Sequence, residues 1–290
     1  MPFELIDTHV HIWDLEKVDY PWLKGNQSIL NRTYQINELS PQLTMAGVTK
    51  GILVQASNNA EDTVAMLQVS QQEDWIEGVV GWLPLMDPIT SGKTLTQYQQ
   101  HPYFKGVRHL IHDEPDTAWL LQPTVIESLT QLANQGLTYD LVGINNAHIE
   151  TALAVAEKIP HLKMVFDHLN QPPIQQGEKF GAWGAFMSTA ASNPHFYAKF
   201  SGLGTTCGTI DFTKDSIKPY LEFIIQQFGV DRCFCGGDWP VSLLAKDYTS
   251  TWQIYQAAIL DLVGEHDAQK IFATNAIAFY HLNPTQPTCN

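Results

Sequence analysis

The sequence has few basic residues for its length. Its 290 residues include 16 Lys and Arg against 30 Asp and Glu, so the formal net charge is −14 and the isoelectric point is near 5.1. A nucleic-acid-binding protein needs a basic surface that neutralises phosphates, so this composition argues against that class of protein. Long apolar runs are also missing, because no stretch reaches the roughly 20 residues that span a bilayer. We therefore expect a soluble protein with neither nucleic acid nor membrane as a partner.

Cysteine is scarce, and no two cysteines have the Cys-x-x-Cys spacing of a redox or metal site. The four are Cys207, Cys233, Cys235 and Cys289. No apolar signal segment follows Met1, so we expect a cytoplasmic protein without disulfides. Cys233 and Cys235 lie in an apolar run and are expected to be buried thiols. A Gly-x-Ser-x-Gly elbow is absent as well, which disfavours a serine esterase.

The sequence does contain a series of apolar runs that alternate with helix-like segments. Continuous apolar runs are typical of strands that are covered on both faces. Eight strands are predicted, over residues 4–10, 50–56, 78–85, 104–111, 137–142, 162–168, 196–202 and 233–238. Helices are predicted from Asn58 or Asn59 to 72, from Thr117 to 134, from Asn145 or Asn146 to 158, over 214–228 up to Gly229, and over 249–280. No linker or repeat separates these units, so residues 1–290 are predicted to form one α/β domain, a single (β/α)8 TIM barrel.

The first predicted strand ends in the motif Asp7-Thr8-His9-Val10-His11. Successive side chains of a strand alternate between its faces, so Asp7, His9 and His11 are expected to point the same way. Two imidazoles that converge on one point can hold a metal ion or the carbonyl oxygen of a substrate. The alternative is a polar strand end with two solvated histidines.

Polar residues also follow several of the other strands. Active sites of (β/α)8 barrels lie at the C-terminal ends of the strands, so these residues are expected to share one mouth. They are Arg108, His109, Asp167, His168, Lys199 and Asp238. Each of these residues taken alone could instead cap a helix or lie in a solvated loop. Their concentration at one mouth of the barrel is hard to explain by exposure to solvent alone.

Asp238 is the most informative member of this ring. It follows two glycines, which let backbone or ligand approach closely, and it faces His9 and His11 if the first and last strands are neighbours. A carboxylate in this place can take a proton from a water that attacks a carbonyl, while the histidines stabilise the developing oxyanion. The alternative is a cap for a helix that begins near Val241. The chemistry that this arrangement indicates is hydrolysis.

These motifs together resemble the amidohydrolase superfamily. Gly106-Val107-Arg108-His109, Asp167-His168, Lys199-Phe200-Ser201-Gly202-Leu203 and Gly237-Asp238-Trp239-Pro240 resemble its lactonase branch, which includes L-fuconolactonase-like and dicarboxylate-lactone hydrolases. The resemblance implies a barrel enzyme that opens lactones with water. It also implies that His9, His11 and His168 surround the lactone carbonyl, that Asp238 activates the water, and that Arg108 and His109 bind polar groups of the substrate.

The same resemblance bears on metal content. A member with two metals would show a bridging Lys or Glu on the fourth strand and a His on the fifth, where this sequence has Arg108 with His109 and Tyr139 with Asp140. A two-metal site is therefore not expected. One ion, with zinc favoured, is compatible with His9, His11, His168 and Asp238 as ligands. The lactonase branch is expected to work without metal, so the prediction is either no required cofactor or one dispensable divalent ion.

The loop after the first strand is rich in aromatic residues, of which Trp13 and Trp22 are candidates for substrate contact. Such rings pack well against sugar-like rings, although they equally suit the anchoring of the loop to the barrel. Trp239, next to Asp238, and Lys199 are further candidates for substrate binding. Because the protein is acidic, a neutral sugar lactone fits better than a polyanionic substrate.

Two other functions are compatible with the sequence. One is a metal-dependent decarboxylase of the same superfamily, which requires a firmly bound ion, and the other is a non-catalytic binder of small molecules. The presence of Asp238 over three histidines argues against a simple binder. The oligomeric state is left open, and a homo-oligomer is compatible with the sequence.

Overall fold

The structure is a computed structural model that describes residues 3–282. Cys289 and the two ends of the predicted 1–290 domain lie outside this range. Eight parallel strands form one sheet in the order β1 to β8. They are β1 (Ile6–Val10), β2 (Lys50–Val54), β3 (Ile76–Gly81), β4 (Phe104–His109), β5 (Thr138–Leu141), β6 (Met164–Phe166), β7 (Phe196–Phe200) and β8 (Cys233–Cys235). Each strand overlaps one of the eight predicted runs, which confirms the (β/α)8 barrel.

Backbone hydrogen bonds between the first strand and the loop after the last one close the barrel. The N–H of His11 donates to the carbonyl of Trp239 at 2.7 Å, and the N–H of Asp238 donates to the carbonyl of His9 at 2.8 Å. Val10 forms a parallel bridge with Trp239. The predicted neighbourhood of the first and last strands is therefore confirmed.

Helices cover the outside of the barrel. They are α1 (Ile36–Ala46), α2 (Ala60–Ser70), α3 (Pro88–Tyr98), α4 (Pro123–Asn134), α5 (Asn146–Lys158), α6 (Gly181–Ala191), α7 (Leu203–Thr206), α8 (Lys214–Phe228), α9 (Tyr248–Gln269) and α10 (Asn275–Tyr280). Asn59 and Asn145 cap α2 and α5 as predicted, since their side chains accept backbone N–H groups of the first turn. No helix within residues 3–282 combines the length and the apolar character that crossing a bilayer requires.

The predicted helices differ from the structure in three ways. The segment predicted as one helix over 249–280 is interrupted at Gly264, which has φ of +71°, and by a π-helical turn between α9 and α10. The helix predicted from Thr117 begins at Pro123 instead, after a 3₁₀ turn. Helices α1, α3, α6 and the one-turn helix α7 were not predicted. Pro41 obscures α1, and no side chain caps α6 or α7, so three of the four lack the usual sequence signals.

The last helix covers the N-terminal end of the barrel. Residues of α10, among them Phe279 and Tyr280, pack against inward-facing strand residues such as Ile6 and Phe234. Cys233 and Cys235 are buried, as predicted, and Cys207 is buried as well; all three are free thiols. The opposite end of the barrel, where the polar residues lie, remains open to ligands.

Candidate active site

Asp7 attaches β1 to the loop after β8. Its carboxylate accepts hydrogen bonds from the backbone N–H groups of His9 (2.9 Å) and Gly237 (2.7 Å), from the Tyr248 hydroxyl (2.8 Å) and from the Trp252 indole (3.3 Å). Burial raises the pKa of this carboxyl to about 6. The register of β1 against β2 shifts between Asp7 and Val10, which interrupts the regular alternation of side chains. Asp7 thus contacts α9 instead of pointing with the two histidines, contrary to the prediction.

His9 and His11 converge as predicted. Their Nε2 atoms lie 3.1 Å apart, and their ring planes are nearly perpendicular at 85°. Nδ1 of His11 is 2.7 Å from the carbonyl oxygen of Val54, which can only accept, so this nitrogen carries the proton. With Nδ1 protonated, a neutral form of the His11 ring has a bare Nε2 that faces the site. Burial lowers the pKa of His9 well below its usual value, which favours the neutral form of this ring.

Asp238 lies over the histidine pair. Its Oδ1 is 3.4 Å from Nε2 of His11 and 3.7 Å from Nε2 of His9. This oxygen is buried and has no hydrogen-bond partner among the described residues. The backbone of Asp238 is left-handed, with φ of +56°, a conformation that costs energy for a residue other than glycine. A strained carboxylate with a free buried oxygen is typical of a functional group rather than of a helix cap.

His168 approaches from the end of β6. It also has a left-handed backbone, with φ of +54°. Its Nδ1 is 2.9 Å from Oγ of Ser201, which in turn accepts the backbone N–H of His168 at 3.3 Å. A Cβ on Gly202 would lie 2.3 Å from this Nδ1 and 3.0 Å from Oδ2 of Asp238, so the space between the two side chains requires glycine. Burial lowers the pKa of His168.

Arg108 brings a positive charge into direct contact with His9. Its Nη1 lies 3.2 Å from Nε2 of His9 and 3.1 Å from a carboxylate oxygen of Asp167, and its Nη2 donates to the carbonyl of Gln55. Nε of Arg108 is buried and has no partner among residues 3–282. The guanidinium is therefore held through Nη1 and Nη2 and keeps one unused donor, Nε.

Lys199 lies below this layer, inside the barrel. Its ammonium is 2.6 Å from Asp140 and 2.8 Å from Asp167, and all three side chains are 0% exposed. Burial raises the pKa of Asp140 to about 6 although Lys199 opposes the shift. Burial would also raise the pKa of Asp167, but Lys199 and its other neighbours hold it well below the usual range. Tyr280 of α10 donates to Asp140 at 2.7 Å and completes the buried cluster.

A cavity of about 270 Å³ opens above these groups at the C-terminal ends of the strands. Of the predicted site residues, those that line it are His11, Trp22, Arg108, His168 and Asp238. His9 lies directly beneath them. A larger cavity of about 460 Å³ lies between the loop after β1 and α2, and none of the histidines lines it.

Four predicted substrate-binding residues do not line the active-site cavity. Lys199 belongs to the buried ion cluster. Trp13 and Trp239 are buried, and each packs edge-on against Tyr34, which anchors the loop after β1 to the barrel. His109 is stacked on Trp119 at 4.0 Å. These placements favour supporting roles for the four residues over direct contact with a substrate.

Three neighbours of the site were given no catalytic or binding role from the sequence, although Asp167 was placed at the mouth of the barrel. Asp167 orients Arg108, Asp140 binds Lys199, and Ser201 contacts His168. Asp167 and Ser201 carry a usable signal, because each stands in a motif at the C-terminal end of a strand. Asp140 carries none, since a buried acid on a short strand is indistinguishable from a polar strand end until its partner is known.

The donor atoms fit a single divalent ion. One nitrogen of His9, one nitrogen of His168 and one carboxylate oxygen of Asp238 lie within 4.8 Å of one another. Nitrogen and carboxylate oxygen are ligands that zinc accepts, and the free buried Oδ1 of Asp238 would gain a partner. The guanidinium of Arg108 also contacts Nε2 of His9, 3.2 Å away, and its positive charge would repel a second cation. The residues therefore fit one ion and do not fit two.

Comparison with known proteins agrees with this architecture. L-fucono-1,5-lactonase from Burkholderia ambifaria is 29% identical over 282 residues, which cover 96% of each chain. L-rhamnono-gamma-lactonase from Scheffersomyces stipitis is 23% identical and covers 97% of this chain and 99% of its own. A crystal structure of an amidohydrolase from Burkholderia multivorans with bound HEPES has a TM-score of 0.89 and 24% identity, covering 97% of this chain and all of the other. Residues 6–282 match the family described as amidohydrolase. The chain therefore belongs to the amidohydrolase family.

Proposed function

We propose that this protein is a lactonase that hydrolyses the cyclic ester of a sugar acid or small organic acid. The observation that carries the proposal is the free, buried Oδ1 of Asp238, which lies 3.4 Å from Nε2 of His11 at the floor of the cavity. A carboxylate with an unused acceptor next to a bare imidazole nitrogen can bind and activate a water. The names of the two lactonases that resemble the chain over nearly its whole length support the same reaction.

In the proposed reaction, the water donates a hydrogen bond to Asp238 and attacks the lactone carbonyl carbon. Asp238 takes the proton as the new C–O bond forms. Arg108 stabilises the negative charge that develops on the carbonyl oxygen, because its fixed guanidinium has a free Nε donor. The tetrahedral species then collapses, the ring C–O bond breaks, and the proton on Asp238 passes to the leaving alkoxide. The product is the open hydroxy acid.

His168 takes one of two forms in this scheme. If the Ser201 hydroxyl donates to Nδ1, then Nε2 carries the proton and can donate to the carbonyl oxygen. If Ser201 accepts instead, Nε2 is bare and can serve as a ligand. A divalent ion held by His9, His168 and Asp238 would supply Lewis-acid polarisation of the carbonyl. The alternatives of direct polarisation and polarisation through one ion therefore correspond to the two tautomers of His168.

The experiment is a pH-indicator assay of the purified protein against a panel of sugar-acid lactones, with and without chelator. We expect acid release by the wild type and a loss of turnover of about 10²–10⁴-fold in Asp238→Asn, as for removal of a general base. Asp211→Asn is the matched control, because Asp211 is exposed, pairs with Lys246 and does not line the active-site cavity. Its turnover should equal that of the wild type.

The outcomes separate the candidate functions. Near-normal turnover of Asp238→Asn would contradict its role as base. Turnover that survives chelation would show that the chain's own residues polarise the carbonyl, while turnover that returns only with added zinc would make His9 and His168 ligands. Absence of acid release from every lactone, with carbon dioxide released from an aromatic acid, would replace the lactonase with the decarboxylase.

A further inference from the structure

A second cavity adjoins the active-site cavity. It has a volume of about 340 Å³ and is lined by three parts of the chain: the residues after β5, the residues after β6, and α7. Four residues line both cavities and form their common border, namely Ile144, Gln171, Thr205 and Thr206. The two cavities therefore lie side by side, and a molecule bound over Asp238 has the second compartment as its neighbour.

The lining of the second compartment is rich in amide side chains. Asn146, Gln175 and Gln176 line it and make no side-chain hydrogen bond to any residue in the described range 3–282. Two other amides are already engaged, since Asn170 donates to the carbonyl of Asn145 at 2.9 Å and Asn145 caps α5. A primary amide has both donors and an acceptor, as a sugar hydroxyl does, so the free amides suit a ligand with many hydroxyl groups.

The charge of the compartment also restricts the ligand. Among the described residues, no Lys or Arg lines it, and Glu178 is its one charged side chain. A carboxylate or phosphate placed here would find no cation and would be repelled by Glu178. The compartment thus favours an uncharged polyol over an anionic extension of the substrate.

The two volumes indicate how large that substrate is. The active-site cavity, at about 270 Å³, is slightly below the roughly 300–1,000 Å³ typical of small-molecule sites. The second compartment more than doubles the space. We infer that the preferred substrate is a neutral sugar-acid lactone that carries a second neutral sugar residue, with the lactone ring over Asp238 and the second sugar among Asn146, Gln175 and Gln176. This inference rests on the proposed lactonase function.

The test compares paired substrates. Each hexono-1,5-lactone that the wild type hydrolyses is compared with the same lactone carrying a neutral hexose on O4 or O6. We expect kcat/KM to be about tenfold higher for at least one disaccharide lactone, as two added hydrogen bonds would give. In the double variant Asn146→Ala/Gln175→Ala this advantage should disappear while kcat/KM for the single-ring lactone stays unchanged. The matched control is Gln68→Ala/Gln72→Ala, which removes two amides from the separate cavity beside α2.

A binding measurement keeps the inference distinct from the proposed function. Calorimetric titration with maltose reports on the second compartment without any turnover. If no lactone is hydrolysed but the double variant binds maltose several-fold more weakly than the control, the lactonase proposal fails and the sugar compartment stands. The inference is overturned if disaccharide lactones are no better than single-ring lactones, or if the double variant lowers kcat/KM for both equally. Absence of both turnover and maltose binding overturns both proposals.

Discussion

Replacing Lys199 by Met removes one charge from the balanced cluster inside the barrel. That cluster holds two cations, Arg108 and Lys199, and two anions, Asp140 and Asp167. Lys199 is fully buried and lies 2.6 and 2.8 Å from the two carboxylates. Breaking such a pair leaves an uncompensated buried charge and costs about 3–5 kcal/mol. Arg108 continues to bind Asp167, so Asp140 is the carboxylate left without a cation.

The decrease in the free energy of unfolding that Lys199→Met causes depends on pH, and the pKa of Asp140 determines the direction of that dependence. Burial already raises the pKa of Asp140 to about 6, and loss of Lys199 raises it further. The folded variant then binds a proton at pH values where the unfolded chain, with an ordinary Asp pKa near 4, does not. Its free energy of unfolding therefore rises as pH falls. The deficit relative to wild type should be largest at pH 8 and smaller at pH 5.5, by about 1.4 kcal/mol for each unit of added pKa shift.

Urea denaturation at the two pH values measures this effect. The double variant Lys199→Met/Asp140→Asn removes both charges and should be about 2 kcal/mol more stable than the single variant at pH 8. Lys218→Met is the matched control, because Lys218 forms an exposed pair with Asp261 and its loss should cost about 0.5 kcal/mol or less. A deficit of Lys199→Met below about 1 kcal/mol at pH 8, or one that grows as pH falls, would refute the reasoning.

Three other predictions concern the site and its surroundings. Gly202→Ala should reduce turnover at least about 100-fold, because the added Cβ would lie 2.3 Å from Nδ1 of His168. Gly136→Ala is the control and should keep full activity, since Gly136 has a similar positive φ but no atom within 4 Å of the added Cβ. Equal losses of turnover in the two variants would contradict the steric argument. His109 accepts a hydrogen bond from Trp82, and burial lowers its pKa, so the unfolded chain binds the proton first and stability should fall as pH drops below about 6.5. Urea midpoints at pH 7.5 and 5 should show a smaller fall in His109→Gln, and an unchanged fall would count against this assignment. Chelator treatment should lower the midpoint of thermal unfolding, and one equivalent of zinc should restore it. An unfolding midpoint that zinc does not change would contradict the fit of the site to one ion.

The strands could be predicted because apolar runs and barrel geometry depend on local sequence. His9, His11, His168 and Asp238 could be placed together for the same reason, since each ends a strand of one parallel barrel. Asp7 could not be placed correctly, because a shift in strand register is invisible in a pattern of alternation. Lys199 was assigned to the mouth of the barrel, yet its depth is set by Asp140 on another strand. Contacts between residues far apart in the chain are what the sequence alone leaves undetermined.

The closure between β1 and the loop after β8 has a consequence for synthesis of the chain. Asp7 and Gly237, which join across that seam, are separated by 230 positions. At ordinary rates of elongation the ribosome needs about 10–50 s to make that interval. During this time the two histidines exist without the carboxylate of Asp238, and a chain released before residue 237 lacks all of the hydrogen bonds that join Asp7, His9 and His11 to the loop after β8. Hydrolysis would therefore report that the last strand has joined the first, so the proposed activity can serve as a direct assay of completed folding.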